Sequence, residues 1–368
     1  MGKTKGSEFI PQMEPWYGEE ERKAVSGYMS EGGWITEFKR TTQFEQIIAE
    51  FTGAKHCIVT NNGTISLTLA ALACGIEPGD EVIVPNYTMI ATPNSMKLFG
   101  AVPVFVDVEP QTLCMDIDLA KRAVTARTKA IIVVNANGRY PKSGIEKFVE
   151  LARDRNLVLI EDAAQSLGSS YPDGRHQGTV GLAGSFSFSS PKIISTGQGG
   201  AVVTNDDEIA YKLRRLKDFG RSGGGLDIHD SIGYNFKFTD IQACIGIEQM
   251  KKLSWRVQRK RQIWKLYKSL LAGIDEMSLF DQDLEYTTPW FIDILAEKRD
   301  GLQLFLNAKG IGTRAMYPPI NKQVAYRLPG EYPVSNRVGT NGLWLPSASQ
   351  LTDGQISHVC EAIRHFYK

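Results

Sequence analysis

The chain has 368 residues, 42% of them hydrophobic, which is enough apolar material for large cores in roughly two domains. Its 42 basic and 41 acidic side chains leave a net charge of +1, so bulk charge gives no reason to expect nucleic acid or an anionic membrane as partner. No apolar run approaches the roughly 18 residues of a membrane helix, and the opening "MGKTKGSEFIPQ" lacks a hydrophobic leader, so the expected location is the cytoplasm. Five cysteines, Cys57, Cys74, Cys114, Cys244 and Cys360, are far apart and without metal-ligand spacing. They read as reduced packing residues, and no metal site is expected.

Along the chain, about forty N-terminal residues stand apart from the strand pattern and are placed to pack at a subunit interface. The strand-like "HCIVT" then runs through "NNGT" into a helix starting near Thr64. A helix start offers unsatisfied N–H groups to an anion, so Gly63 and Thr64 form a candidate phosphate cradle. An ordinary cap with a turn glycine has the same letters. "EVIVP" (81–85), "VPVFVDV" (102–108), "KAIIVVNA" (129–136) and "NLVLIED" (156–162) are nearly continuous apolar runs, as strands covered on both faces are. Helical patterns lie between them, which predicts an α/β fold with a mostly parallel central sheet flanked by helices. Right-handed crossovers then bring the strand C-termini to one edge, where such sheets bind ligands.

At that edge "VLIEDAAQSLG" closes a strand with Glu161 and Asp162. A carboxylate held there needs a positive or hydrogen-bonding partner, although a helix cap would also use one. Thirty residues on, Lys192 lies between "GSFSFSS" and "TGQGG". A lysine in a tight, partly buried turn loses hydration and becomes a usable nucleophile, whereas a lysine beside glycines is also common solvated surface. Taken together, a phosphate cradle, a carboxylate and an amine call for pyridoxal 5'-phosphate, with Asp162 on its ring nitrogen and Lys192 on its aldehyde.

After residue 205 the pattern changes. "DDEIAYKLRRLKDFG" reads as an exposed helix, "RSGGGLD" as a glycine-rich loop, and "TDIQACIGIEQMKKL" with "QRKRQIWKLYKSLLAG" as two long helices. A linker near 272–290 leads to "WFIDILA", a strand, then "RDGLQLFLNAKG" and "TDGQISHVCEAIRHFYK", both helices. The expected division is a large cofactor-binding domain over 1–250 and, over 251–368, a long helix with a small α+β domain.

From "WITEFKRTTQFEQIIAEFTGAKHCIVTNNGT" through "VLIEDAAQSLGS", "FSFSSPKIISTGQGGAVVTND" and "IGYNFKFTDIQACIGIEQ" to "LWLPSASQLTDGQI", the chain resembles the sugar aminotransferases of the DegT/DnrJ/EryC1/StrS type, fold type I pyridoxal-phosphate enzymes. The resemblance implies that Lys192 holds the cofactor covalently and moves a proton, that Asp162 pairs with the ring nitrogen, and that Gln165 contacts the ring hydroxyl. Gly63, Thr64 and Ser187 would bind the phosphate, joined by Asn235 of a neighbouring subunit in a homodimer. Met89 stands where the family stacks an aromatic on the ring, with Tyr87 nearby. Trp34, Asn135, Lys237, Arg314 and Tyr317 are the substrate-facing candidates, and Lys39, Arg40 and Arg221 are further cations for phosphate or carboxylate groups.

The chain departs from the family pattern at "NANG" (135–138), Gln198, Lys237 and Asn321, all expected on substrate-facing or ring-facing elements. Family relatives that dehydrate keto-sugars carry histidine at the lysine position, so Lys192 favours amination. The expected reaction moves an amino group from L-glutamate to a nucleotide-linked 4-keto-6-deoxyhexose for surface glycan or O-antigen synthesis. A non-nucleotide keto or aldehyde sugar is the alternative acceptor, and a non-catalytic cofactor-binding protein is the rival from another class. A nicotinamide oxidoreductase would need G-x-G-x-x-G after the first strand, and "TGQGGAVV" leads into a strand instead.

Overall fold

A computed structural model of the chain describes residues 9–223 and 227–368, so the middle of the "RSGGGLD" loop lies outside the described residues. Seven strands form one sheet: β1 (His56–Thr60), β2 (Glu81–Pro85), β3 (Val102–Val106), β4 (Thr128–Val134), β5 (Val158–Asp162), β6 (Ala183–Ser187) and β7 (Gly200–Thr204). Their spatial order is β1-β7-β6-β5-β4-β2-β3. The pairs from β3 to β6 are parallel, whereas β7 is antiparallel to both β6 and β1. The expectation that every strand ends on one edge is therefore corrected at β7. Residues 188–199, which join β6 to β7, contain no crossover helix, and the chain has to double back. That return carries Lys192.

Helices α1 (Glu19–Glu31), α2 (Lys39–Thr52), α3 (Gly63–Ala73), α4 (Ala91–Lys97), α5 (Ile117–Ala123), α6 (Glu146–Arg155), α7 (Asp207–Lys217) and α8 (Asp240–Lys251) cover the sheet. Alternation along the strands assigns the faces. Ile58, Val82, Ile132, Ile160 and Val202 pack against Leu67, Met96 and Leu213 of α3, α4 and α7. Val59, Ala201 and Val203 pack against Phe44 and Ile48 of α2, and Ile83, Ile131 and Val133 against Phe148 of α6. The α7 segment was expected to be exposed, but its Ile209, Ala210 and Leu213 are buried, because their spacing of one and three residues puts them on a single helix face. Asp240, at the start of α8, accepts hydrogen bonds from Phe38 N, Arg40 N, Thr41 N, Thr41 Oγ1 and the Tyr28 hydroxyl, which ties α1 and α2 to the domain.

The second sheet has the order β10-β11-β9-β8, from β8 (Met277–Leu279), β9 (Ile292–Ala296), β10 (Arg314–Ala315) and β11 (Gly342–Leu345), all antiparallel. Helices α9 (Leu253–Leu270), α10 (Arg299–Ala308) and α12 (Asp353–Phe366) bury Tyr267, Leu306, Val359 and Ile363 against it, while α11 (Pro333–Asn341) leads into β11. Ile10 bridges Ile311, so the beginning of the described chain packs on this second unit.

A seam of polar contacts joins the two sheets. Asn137, in the left-handed region at φ 54°, exchanges two hydrogen bonds with the Phe291 backbone, at 2.9 and 2.6 Å. Gly138 follows at φ 80°, and a Cβ there would stand 2.2 Å from the Thr288 carbonyl oxygen, so only glycine fits. Arg139 makes a buried two-point contact with Asp293, at 3.2 and 2.7 Å. The Asn137 side chain of the "NANG" run thus ties the first sheet to the second, while the Asn137 N–H reaches Gln165.

Candidate active site

Period-2 geometry sends the two carboxylates of β5 to opposite faces. Glu161 is buried and accepts from the Tyr171 hydroxyl and from the N–H groups of Gly178, Val180 and Gly181, at 2.6 to 2.8 Å. It braces the fold. Asp162 faces a cleft: its Oδ2 accepts from Thr92 Oγ1 at 2.7 Å and its Oδ1 from Ala164 N at 3.2 Å. Thr92 in turn shares a hydrogen bond of 2.9 Å with Thr88. Burial pushes the Asp162 carboxyl above its usual range, while those donors and the charge on Lys192 pull the other way.

Lys192 lines the same cleft from the β6–β7 connection. Burial lowers its ammonium to about 8, against the opposing pull of Asp162. Its Nζ lies 4.2 Å from the centre of the Trp290 ring. At physiological pH this amine is still mostly charged, but it gives up its proton far more readily than an ordinary lysine, and it shares the cleft with the Asp162 carboxylate.

The third corner is the N-terminus of α3. Asn62 caps it by accepting from Ile65 N at 3.0 Å, which leaves the first-turn N–H groups of Gly63 and Thr64 without intrahelical partners. Ser187, at the end of β6, completes this corner. A Cβ on Gly63 would approach the Ser187 Cβ to 2.8 Å, and one on Gly200 would approach the Asn62 carbonyl carbon to 2.6 Å. Both glycines are required by close packing around the helix start.

The cleft has a volume of about 290 Å³, and Met89, Gln165, Gln198, Trp290, Arg314 and Tyr317 are also in its lining. Gln165 accepts from Asn137 N at 2.7 Å, which fixes its amide. Tyr317 is held at 6.1 Å from Tyr87, and Tyr87 itself is buried away from this cleft. The Arg314 guanidinium lies 5.5 Å from the Trp344 ring and 6.0 Å from Tyr317, and it forms no ion pair among the described residues.

Several expected site residues lie elsewhere. Asn135 is fully buried and donates to the Tyr171 hydroxyl at 3.1 Å, so its side chain supports β4 and the predicted substrate contact is corrected. Asn321 is likewise buried and exchanges two 2.9 Å hydrogen bonds with Asn86. Trp34 is 68% exposed and outside the cleft. Lys237 pairs with Asp218 at 2.7 Å and Arg221 with Asp227 at 2.6 Å, while Lys39 lies over Phe38 and Arg40 is 3.8 Å from Glu31. Asn235 is exposed on the same segment as Lys237 and does not reach this chain's own cleft. Conversely, Thr88, Thr92 and Trp290 went unremarked in the sequence. Two threonines four apart and a tryptophan before a strand are common patterns, and only the fold brings them to Asp162 and Lys192.

A helix-terminal phosphate corner, a buried carboxylate and a lysine of lowered pKa, meeting at the edge of a mostly parallel sheet, form the donor set of a fold type I pyridoxal-phosphate enzyme. The chain belongs to the DegT/DnrJ/EryC1/StrS aminotransferase family, whose model matches residues 15–364. It is 36% identical over 364 residues to a GDP-perosamine synthase of Escherichia coli O157:H7, covering 98% of this chain and 99% of that one. A GDP-perosamine synthase of Vibrio cholerae is 34% identical, with 97% and 99% covered. Among solved structures, S. venezuelae DesV in complex with a ketimine intermediate superimposes with a TM-score of 0.89 at 31% identity over 95% of this chain and 94% of that one. The aminotransferase TlmJ from Streptoalloteichus hindustanus gives 0.91 at 31% identity, with 97% and 98% covered. The protein is thus a pyridoxal-phosphate-dependent transaminase. Among the described residues no helix is long and apolar enough to cross a membrane, and all five cysteines are free thiols.

Proposed function

We propose that this aminotransferase moves an amino group from L-glutamate to a nucleotide-linked 4-keto-6-deoxyhexose in surface glycan or O-antigen synthesis, in the cytoplasm and as a homodimer. The observation that carries the reading is the cleft itself, in which Lys192 and Asp162 share one volume with Arg314, a cation without an ion pair among the described residues. Similarity to two GDP-perosamine synthases over nearly the full length of both chains supports a nucleotide-sugar acceptor. The exposed apolar side chains Trp34, Ile35, Phe38, Ile232 and Tyr234, together with the outward-facing Asn235, support a dimer in which each subunit completes the other's phosphate corner.

Bound pyridoxal phosphate supplies an aldehyde for exchange of amines and a protonated ring that draws electrons from the substrate carbon. The chain's own residues do the rest. Gly63, Thr64 and Ser187 would hold the phosphate, Asp162 would keep a proton on the ring nitrogen, Gln165 would meet the ring hydroxyl and Met89 would offer the ring a soft apolar contact. Lys192 would hold the cofactor, and its Nζ is the group placed to take a proton from the donor carbon and give it back. Arg314 takes the carboxylate of the donor, since its planar fork suits a two-point contact.

The test is spectroscopic. Purified protein given pyridoxal phosphate should show a visible band that glutamate bleaches and a keto-sugar nucleotide restores. Lys192→Ala should abolish turnover. A protein that stays colourless with added cofactor, or a Lys192→Ala variant of full activity, refutes the reading.

A further inference from the structure

Trp290 has no part in the chemistry proposed for the cleft, yet its ring lies against the amine of the reactive lysine. Its ring centre lies 4.2 Å from Lys192 Nζ, and no hydrogen-bond acceptor or ion pair holds that nitrogen among the described residues. Away from the cleft the ring is held by several contacts. Its Nε1–H donates to the carbonyl of Pro191 at 2.7 Å, so the indole is tied to the same backbone that carries the lysine. It stacks on Phe291 with centroids 3.8 Å apart and planes 20° from parallel, meets Trp344 edge-on at 5.8 Å, and is 4% exposed. Behind it, the buried amine of Lys260 donates to its carbonyl oxygen at 2.7 Å. Nothing about this tryptophan is free to turn.

We infer that Trp290 is a positioning residue for Lys192: a fixed aromatic face on which the lysine's ammonium rests whenever the amine is not covalently engaged. The inference rests on the aminotransferase reading, because only such a cycle releases the lysine and engages it again. A conventional hydrogen-bond acceptor would pin one N–H and direct the lone pair. A π-face instead attracts the charged form electrostatically and leaves the nitrogen free to swing. The ring therefore works against burial: burial favours the neutral amine, whereas the indole quadrupole favours the ammonium. Among the described residues, Asp162 and Trp290 are the two features that stabilise positive charge on this nitrogen, and Asp162 is committed to the ring nitrogen of the cofactor. The task of holding the proton that Lys192 has just taken then falls to the indole.

The experiment titrates Lys192 in the cofactor-free protein, so it does not depend on turnover. Wild type, Trp290→Phe and Trp290→Leu are each treated with formaldehyde and borohydride over a pH series, and methylation of Lys192 is read by peptide mass spectrometry. A desolvated cation–π contact of about 1–2 kcal/mol corresponds to roughly one unit of pH. The midpoint for labelling should therefore fall by about one unit in Trp290→Leu and by a fraction of that in Trp290→Phe, which keeps an aromatic face. Trp290→Phe also retains the stack on Phe291, so it remains informative if Trp290→Leu does not fold. A midpoint that is unmoved or raised in the phenylalanine variant overturns the proposal, because a wall that only fills space would not change the proton affinity. Failure of the aminotransferase reading is seen separately, as loss of the cofactor band or of its response to glutamate in the wild type.

Discussion

Thr92→Val removes the hydroxyl that donates to Asp162 Oδ2 at 2.7 Å while keeping the shape of the side chain. Asp162 is 5% exposed and, among the described residues, has one further donor, Ala164 N at 3.2 Å, so no described neighbour replaces what is lost. A hydrogen bond to a charged acceptor contributes about 1.5–3 kcal/mol, which is roughly one to two pKa units at 1.36 kcal/mol each. Burial already holds this carboxyl above its usual range, and the substitution raises it further. The sign follows directly: a carboxyl of higher pKa stays protonated to higher pH, and only the anion grips a protonated ring nitrogen. The affinity of the cofactor-free protein for pyridoxal phosphate, measured by fluorescence titration across pH, should slide toward alkaline pH by about one unit. That makes binding about tenfold weaker on the acid limb and nearly equal to wild type on the alkaline limb. Thr92→Ser, which restores the donor, should return the profile. A Thr92→Val profile that coincides with wild type, or a serine variant that behaves like valine, refutes the assignment.

Gly63→Ala places a Cβ 2.8 Å from the Ser187 Cβ and should weaken pyridoxal phosphate by on the order of tenfold while leaving pyridoxal, which lacks the phosphate, nearly unchanged. Equal losses for both ligands would count against a phosphate corner there. His176 accepts from Gly168 N on Nε2, and burial lowers its pKa from 6.5 to about 4, so its contribution to stability is present above pH 6.5 and is lost as pH falls toward 4. That contribution is at most about 3 kcal/mol, and His176→Gln should flatten the fall in denaturation midpoint over that window; an unchanged slope would show that the ring titrates normally. Asp293→Ala strands the buried Arg139 and should cost about 3–5 kcal/mol in urea unfolding, whereas the pair Arg139→Met with Asp293→Leu should recover much of it. A loss below about 1 kcal/mol would mean that Arg139 finds another partner.

Local chemistry made much of this protein legible in its sequence. Buried parallel strands need unbroken apolar runs, so β2 to β5 could be read directly, and the lysine and aspartate stood out because a charge at the end of an apolar strand or in a glycine turn is hard to solvate. The start of α3 was legible for the same reason, since turn glycines and caps act within a few residues. What only the tertiary structure decided are relations between distant segments. The reversal of β7, the burial of Glu161 against Tyr171, and the turning of Asn135 and Asn321 into internal struts all depend on which face meets which neighbour. Trp290 is the clearest case: it is 98 positions from Lys192 in the sequence, yet it lies against the amine. Periodicity and capping act over a turn or two of chain, whereas the packing of two sheets across a seam is a long-range event that no local pattern encodes.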